Sequence, residues 1–386
     1  MINVDEARAR IAEHATVFPD AESIPLAAAL GRFLMQPILA DRDDPPFDKS
    51  LMDGYAVRAD DVPGRLRKVG RIEAGQPELP TVGPGEGVWI NTGAPLPPGA
   101  DTVVPVELTK GEIEIERGFD PGQNVLPRGR LVRAGEELCA GRLTPERIAV
   151  CAAAGVEPVP VVRRPRVAIL ATGNELDADP GPHSIRNSNG PLLAALFAPI
   201  ADVVDLGVVG DSMEELQAKL REGLACDAVV TTGGVSKGDL DLVRPALEAL
   251  DAEVLIHGVK LQPGKPFLFA RRGDAFAFGL PGNPASALVC ADLFVVPFLL
   301  ARQGADFAEV PAPIHAELEA PVKASPHRRR VFPCVLRGAT VTPLPWRSSA
   351  DLYTLTRGNA YMVLEAGADG EAGDRVPVLV PDRFGR

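Results

Sequence analysis

Five short polar motifs carry residue types that can bind an anionic ligand or transfer protons. They are SLMDGYAV with Asp53, ATGNEL with Glu175, TTGGVSKGDLD with Asp241, the PGKP turn with Lys265, and GLPGNP. Paired glycines let backbone N–H groups approach an anion, while carboxylates accept protons or bind a hard cation. These motifs predict a site for a phosphorylated ligand, with carboxylates able to hold Mg²⁺. No GxxxxGK[ST] motif and no GxGxxG after a strand occur, so neither a Walker loop nor a dinucleotide fold is indicated.

Several of these motifs follow short apolar runs that predict buried parallel strands. RVAIL precedes ATGNEL, and CDAVV precedes TTGG. From about residue 163 such runs alternate with helical patterns, which indicates a doubly wound α/β domain. Ligands of an open parallel sheet bind beyond the carboxyl ends of its strands. We therefore expect the motifs to meet at one edge of the sheet.

The rest of the chain predicts a multidomain α/β protein with four parts. Helices are expected over residues 3–14 and 26–35. From about residue 41 the sequence pattern predicts short strands separated by Gly/Pro turns. The predicted division is a helical linker domain (1–40 plus 130–162), an inserted lasso-like β domain (41–129), an α/β domain (163–304) and a C-terminal all-β domain (305–386).

Composition narrows the class of function. A formal net charge of −12 argues against a general nucleic-acid binder, and the basic run HRRR at residues 327–330 is interpreted as a solvated strand end. Five widely spaced cysteines without a CxxC motif predict buried free thiols. The amphipathic first segment is not a signal peptide, and no uninterrupted apolar run reaches the ~18 residues of a membrane span. A soluble cytoplasmic protein with no membrane partner is expected.

The motifs, taken in order and together with NTGAPLP at residues 91–97, resemble the molybdopterin molybdenumtransferase family, which includes bacterial MoeA and the E domain of gephyrin. The resemblance covers essentially the whole chain. It implies insertion of molybdate into adenylylated molybdopterin with release of AMP, assisted by a divalent cation such as Mg²⁺. It also implies a homodimer whose site is shared between subunits, with a molybdopterin adenylyltransferase and molybdoenzymes as further partners.

The motifs and the resemblance together give the candidate site residues. Catalytic roles are expected for Asp53, Thr92, Glu175, Asp211 and Asp241, with Glu175 and Asp241 as metal ligands. Substrate binding is expected for Gly233, Gly234, Ser236, Lys260, Lys265, Pro281, Asn283, Pro284 and Ser349. Within the shared site, Asp53 is expected to reach the pterin ligand bound by the other subunit.

Several positions depart from the pattern of the family: Asn174 stands where aspartate is frequent, Cys334 stands where arginine is frequent, and three others motivate an alternative function. Leu131 stands where an acidic residue is common, and Gly258 and Gln262 stand in a segment that is usually lysine-rich. Lys260 lies two residues from Gly258, so in an extended segment it shares a face with that position and can restore the charge. These departures leave an alternative function open, namely a catalytically weakened family member that acts as a molybdopterin-binding or scaffold protein.

Overall fold

The computed structural model describes residues 1–76, 78–111, 113–235, 241–311 and 313–381. By its internal contacts the chain forms two compact units, each described separately below. The first comprises Met1–Met35, Gly141–Thr144 and Pro160–Arg386, and the second comprises Gln36–Ala140 and Pro145–Val159. The multidomain α/β class is confirmed, whereas the four-part division remains a prediction.

A six-stranded sheet forms the centre of the first unit. In spatial order its strands are Asp202–Val209, Arg166–Thr172, Ala228–Thr232, Ala275–Leu280, Leu268–Arg272 and Glu253–His257. The first four are parallel, while Leu268–Arg272 runs antiparallel to both of its neighbours and is joined to Ala275–Leu280 by a hairpin that turns at Gly273. The three inner parallel strands are buried on both faces, so their sequences are almost continuously apolar. The edge strand Asp202–Val209 is more exposed and also contains aspartates.

Helices cover the two faces of this sheet. Their bounds are Val4–Ala12, Asn189–Phe197, Met213–Gly223, Val243–Glu248 and a long segment that we call the core helix, Pro284–Ala301. In the helix that starts at Met213, the N-cap Ser212 accepts a hydrogen bond from the Glu215 N–H, as its capping sequence predicts. By length and composition the core helix could cross a membrane, yet 94% of it is buried inside the protein, where it packs in the main hydrophobic core.

The core helix has a wide turn whose cause lies in the sequence. It runs as α-helix over Pro284–Cys290, as π-helix over Ala291–Val295, and as α-helix again over Val296–Ala301. Pro297 has no N–H to donate to the carbonyl of Leu293, four residues earlier. The Arg8 guanidinium donates to that carbonyl at 2.6 Å, and also to the Phe307 and Val310 carbonyls at 3.0 Å each. A residue of the first helix thus completes the hydrogen bonding of the core helix.

A second six-stranded sheet is formed by five strands that follow the core helix and one short strand that precedes it. It contains Leu261–Gln262, Arg329–Arg337, Thr340–Pro343, Pro313–Leu318, Arg375–Leu379 and Ala360–Leu364. The strand Arg329–Arg337 also pairs with Ala360–Leu364, so its buried side chains enclose a separate small core. A short helix, Leu352–Leu355, lies between these strands, and Ala21–Ile24 pairs with Val159–Val162 in a two-stranded sheet. The five cysteines are buried and form no disulfide bonds, as predicted.

The second unit is built from short strands and one helix, Pro145–Ala153. Its four-stranded sheet has the order Arg67–Ile72, Glu86–Ile90, Gly54–Val57 and Thr102–Pro105. Three smaller sheets pair Gly64–Arg65, Glu114–Ile115 and Thr109–Lys110; Val125–Leu126 with Lys49–Ser50; and Glu137–Cys139 with Ile38–Leu39. Apolar residues on both faces of the four-stranded sheet form its two small cores.

The prediction of a helix over residues 26–35 was wrong. The chain makes only a 3₁₀ turn at Leu26–Ala28, and Gly31 then adopts φ of +77°. Phe33 and Leu34 are extended and bridge to Arg142 and Val161. Pairing with other segments therefore overrides the helical spacing of the apolar residues.

Candidate functional site

The TTGG motif ends a central strand in a tight turn that only glycine can form. Gly233 and Gly234 have φ values of +88° and +64°. A Cβ on Gly233 would lie 2.3 Å from the Thr172 carbonyl oxygen, and a Cβ on either glycine would lie 3.0 Å from Thr172 Oγ1. The two glycines thus leave bare backbone beside the end of the neighbouring strand. Such a turn suits the close approach of a ligand. The predicted Ser236 lies outside the described residues.

The GLPGNP motif adjoins the same turn. The Gly233 N–H donates to the Leu280 carbonyl at 3.1 Å, and a Cβ on Gly282 would lie 3.6 Å from the Gly233 Cα. The Gly282 carbonyl in turn accepts from Asn189 Nδ2 at 2.7 Å. The other amide atom, Oδ1 of Asn189, is buried and has no hydrogen-bond partner among the described residues. Our sequence interpretation missed Asn189, whose only signal is the polar NSN run at a predicted helix start.

Glu175 and Asp211 belong to two loops that a hydrogen bond joins. Oδ1 of Asn174 accepts from the Asp211 N–H at 3.0 Å, while the Gly173 N–H donates to the Val209 carbonyl at 3.1 Å. The Glu175 carboxylate folds back over Gly173, since a Cβ atom on Gly173 would lie 2.4 Å from Oε2 of Glu175. The ends of two adjacent parallel strands therefore present both predicted carboxylates at one edge of the sheet.

Asp241 lies beside a line of polar side chains. Nε2 of His257 is 3.8 Å from Oδ2 of Asp241, and Nδ1 of His257 is 3.1 Å from an Arg244 guanidinium nitrogen. A guanidinium can only donate, so His257 Nδ1 accepts and its Nε2 carries the proton that faces Asp241. Burial raises the pKa of Asp241, an effect that His257 and Arg244 partly oppose.

The carboxylate of Asp241 has the properties of a magnesium ligand. Its Oδ1 atom is buried without a partner among the described residues, and an unpaired carboxylate oxygen suits a hard cation. Among all the residues that the structure describes, no group of three or more His, Cys, Asp or Glu side chains is arranged to hold a metal ion. Mg²⁺ does not require such a cluster, since it is usually held by one or two carboxylates together with substrate phosphates and water. A paired role for Glu175 and Asp241 remains a prediction.

An open cavity of about 330 Å³ lies beside the start of the core helix. Four predicted substrate-binding residues line it, namely Lys265, Pro281, Asn283 and Ser349. Another predicted substrate-binding residue, Pro284, begins the helix directly after Asn283. Asn283 Nδ2 donates to Ser349 Oγ at 2.8 Å, so residues 66 positions apart in the sequence meet at this cavity. We call it the oxyanion cavity because of the charges described next.

Three arginines that our sequence interpretation missed also line the oxyanion cavity. They are Arg328, Arg330 and Arg347, and with Lys265 they give four cationic side chains and no carboxylate among the described residues that line the cavity. The prediction that HRRR is merely a solvated strand end was therefore wrong. Arg329, the middle arginine, points elsewhere and pairs with Asp5 at 2.6 and 2.7 Å. Arginine forks and lysine are the side chains that bind oxyanions most strongly.

The segment before the PGKP turn is not extended as expected, because Lys260 lies in a bend where the Leu261 N–H donates to the Val259 carbonyl at 2.8 Å. Lys260 is not among the residues that line the oxyanion cavity, whereas Gln262 is. Gly258 adopts φ of +85°, and Cγ of Met1 lies 2.9 Å from the place where a Cβ would stand. In this backbone a lysine at position 258 would be strained. The structure thus gives a local reason for the glycine.

Asp53 and Thr92 meet in the second unit. The Thr92 N–H donates to Oδ1 of Asp53 at 2.6 Å, and the side chain of Asp53 is exposed. This backbone hydrogen bond, with help from the Thr92 hydroxyl, Asn91 and nearby Arg71, lowers the pKa of the Asp53 carboxyl. Asp53 is therefore an ionised, fixed carboxylate at neutral pH. Leu131 is 63% exposed in the same unit, and no apolar core covers it.

Comparison with known proteins agrees with these observations. Three family models match consecutive parts of the chain: the MoeA N-terminal region (domain I and II) over residues 2–155, a probable molybdopterin binding domain over 168–301, and the MoeA C-terminal region (domain IV) over 315–380. A molybdopterin molybdenumtransferase of Bacillus subtilis is 36% identical, over 98% of this chain and 94% of the relative. The protein of the same name from Staphylococcus aureus strain Mu50 is 33% identical, over 99% and 96%.

Solved structures show the same similarity. The molybdopterin biosynthesis MoeA protein from Pyrococcus horikoshii superposes with a TM-score of 0.84 at 31% identity, covering 98% of this chain and 99% of that one. A second structure of the MoeA protein from this organism gives a TM-score of 0.82 at 26% identity, covering 98% and 100%. On these matches, and on the motifs that the sheet edge brings together, the chain belongs to the MoeA family of molybdopterin molybdenumtransferases.

Proposed function

We propose that this protein inserts molybdate into adenylylated molybdopterin and releases AMP. The observation that carries the proposal is the oxyanion cavity, whose described lining residues include Lys265, Arg328, Arg330 and Arg347 but no carboxylate. Four cationic groups favour a multiply charged oxyanion such as molybdate. Curated relatives that align with nearly the whole chain carry the name of this transferase.

The glycine turn of the central sheet supports binding of the second substrate. Gly233 and Gly234 expose backbone beside Gly282, and Asn283, the next residue after Gly282, lines the oxyanion cavity. A phosphorylated pterin bound on this turn would therefore lie close to the molybdate. Positioning of the two substrates accounts for much of such a catalysis, because it replaces an encounter in solution by a reaction between bound groups.

The carboxylates would neutralise charge and move protons. Asp241, with its unpaired buried oxygen, would hold Mg²⁺ together with Glu175, and the cation would offset charge on the substrate phosphates. Asp211 is held near Asn174 on the same sheet edge. Asp53 stays ionised because the Thr92 N–H holds it, and it would act on the pterin ligand of a second copy of the chain.

This last role requires a homodimer with a shared site, as the resemblance implies. We further propose that the dimer works in the cytoplasm, where it receives adenylylated molybdopterin from a molybdopterin adenylyltransferase and passes its product to molybdoenzymes. The net charge of −12 supports a small-molecule substrate over a nucleic acid.

The alternative, a binding or scaffold protein with weakened catalysis, receives less support. Leu131 and Gly258, two of the departures that motivate it, are respectively an exposed side chain and a backbone position with positive φ. The third, Gln262, lines the oxyanion cavity, where four cationic side chains are still present.

Release of AMP tests the proposal directly. Purified protein is mixed with adenylylated molybdopterin, Mg²⁺ and molybdate, and AMP is quantified with and without molybdate. We expect AMP that depends on molybdate, and much less of it from Asp53→Ala. Tight binding of adenylylated molybdopterin without AMP release would instead support the scaffold alternative.

A further inference from the structure

The start of the core helix is capped in an unusual way. Asn283 occupies the N-cap position, where asparagine normally accepts a hydrogen bond from an N–H of the first turn. Its side chain makes no such bond here. Instead, the Ala285 N–H donates at 3.1 Å to the backbone carbonyl of Ser349, which belongs to a loop of the C-terminal sheet. Because another segment caps the helix, the Asn283 side chain is available for a different task.

That task is a hydrogen bond whose direction is fixed by chemistry. Asn283 Nδ2 donates to Ser349 Oγ at 2.8 Å. An amide nitrogen has no lone pair to offer, whereas a hydroxyl has one proton and two acceptor positions. The Ser349 hydroxyl therefore uses an acceptor position toward Asn283 and keeps its proton. Within the described ranges, no acceptor takes this proton.

Both side chains line the oxyanion cavity, among its four cationic groups. We propose that Asn283 is a positioning residue, which orients the Ser349 hydroxyl so that its proton is donated to the oxyanion. The inference rests on the proposed function for the identity of that oxyanion, molybdate. Asn283 acts through Ser349, so its effect should vanish when the hydroxyl is absent.

A double-mutant cycle tests this dependence. Molybdate binding is measured by calorimetry on the full chain and on Asn283→Ala, Ser349→Ala and the double variant. Loss of one hydrogen bond to a charged group should weaken binding by about tenfold in Ser349→Ala. We expect about threefold to tenfold weaker binding in Asn283→Ala, and the double variant should equal Ser349→Ala. Independent, multiplying losses would overturn the proposal, as would unchanged binding in Asn283→Ala.

Asn283→Asp provides a second, sharper variant. Aspartate has nearly the same shape, but its carboxylate only accepts, so it would draw the Ser349 proton away from the cavity. Its molybdate binding should be weaker than that of Asn283→Ala, and equal or tighter binding would contradict the proposed orientation.

In turnover, Asn283→Ala should raise the KM for molybdate more than it lowers kcat. Thermal unfolding separates misfolding from lost orientation, with Asn359→Ala as a control, since the Asn359 side chain bonds the backbone of Leu336 and does not line the oxyanion cavity.

The two proposals fail in different ways. A chain that binds molybdate but releases no AMP would refute the proposed transferase activity, while the binding cycle would still decide the role of Asn283. Molybdate-dependent AMP release together with independent effects of the two variants would refute the positioning role alone. A parent chain that binds no molybdate would overturn the positioning role.

Discussion

The backbone N–H of Thr92 donates to the carboxylate of Asp53 at 2.6 Å, and so holds an exposed acid in one orientation and in its charged form. Two distant motifs, SLMDGYAV and NTGAPLP, thereby act as one local structure. Substitutions that separate the shape of Asp53 from its charge can test what this structure is for.

Asp53→Asn should reduce AMP release by roughly 100-fold, the lower end of the effect of a group that transfers protons. Asparagine keeps an oxygen to accept the Thr92 N–H but lacks the charge, so the melting temperature should stay the same. Rates and thermal unfolding are measured on the parent, on this variant and on Asp60→Asn, an exposed acid of the same unit. An equal loss of activity in Asp60→Asn would remove the special role of Asp53.

Arg328→Ala should raise the KM for molybdate about tenfold, because one charge-assisted hydrogen bond in the oxyanion cavity is lost. The matched control is Arg337→Ala, which removes an exposed arginine near the other end of the same strand. Steady-state kinetics with varied molybdate give the result. The same KM for parent and Arg328→Ala would show that this arginine does not contact the substrate.

Gly258→Lys should destabilise the protein, although it introduces a residue type common in the family at this segment. A non-glycine residue at positive φ costs about 1–3 kcal/mol, and the Met1 side chain must also move. Denaturant unfolding of the parent and of Gly181→Lys, an exposed glycine without positive φ, provides the comparison. A Gly258→Lys protein as stable as the parent would contradict the strain.

Asp227→Asn should lower stability by about 2 kcal/mol at pH 7, because the partly exposed Arg163 loses its main charged partner and its charge-assisted hydrogen bonds are weakened. Arg163 donates to both carboxylate oxygens at 2.7 and 2.8 Å. Burial raises the pKa of Asp227, but Arg163 and the Arg166 N–H outweigh burial and hold it below 3.8. The advantage of the parent is therefore full above pH 3.8 and is lost as the pH falls below it.

Unfolding curves at pH 7, 5 and 2.5 follow this loss. Asp20→Asn is the control, because Asp20 also faces Arg163 but is 69% exposed, and exposed pairs contribute little. An undiminished difference between parent and Asp227→Asn at pH 2.5 would be inconsistent with titration of this carboxyl.

Leu131→Asp should change the rate of AMP release less than about threefold. The side chain is 63% exposed, and exposed substitutions usually alter local free energies by no more than about 0.5 kcal/mol. A large gain in rate would show that the leucine weakens this family member, in line with the scaffold alternative. The rate assay alone distinguishes the two outcomes.

The sequence predicted those parts of the fold and site that depend on local patterns. Apolar runs of four to seven residues identified the parallel strands, and the rule that ligands bind at carboxyl ends located Gly233 and Glu175 at one edge. The prediction of a helix over residues 26–35 was wrong because the partners of this segment, such as Val161, are distant in sequence. Arg328 and Arg330 were missed for a similar reason. Their role as cavity-lining cations is visible only once the fold brings them beside Lys265 and Ser349.

The bond from Arg8 to the Leu293 carbonyl spans 285 positions of sequence. During synthesis on the ribosome, the first helix is made long before the segment that it must contact. Its buried face, with Val4, Ala7 and Ile11, therefore stays without native partners until most of the polypeptide has emerged. Contacts that close so late slow folding, and they make this amino-terminal segment a point at which chaperones can act on the nascent protein.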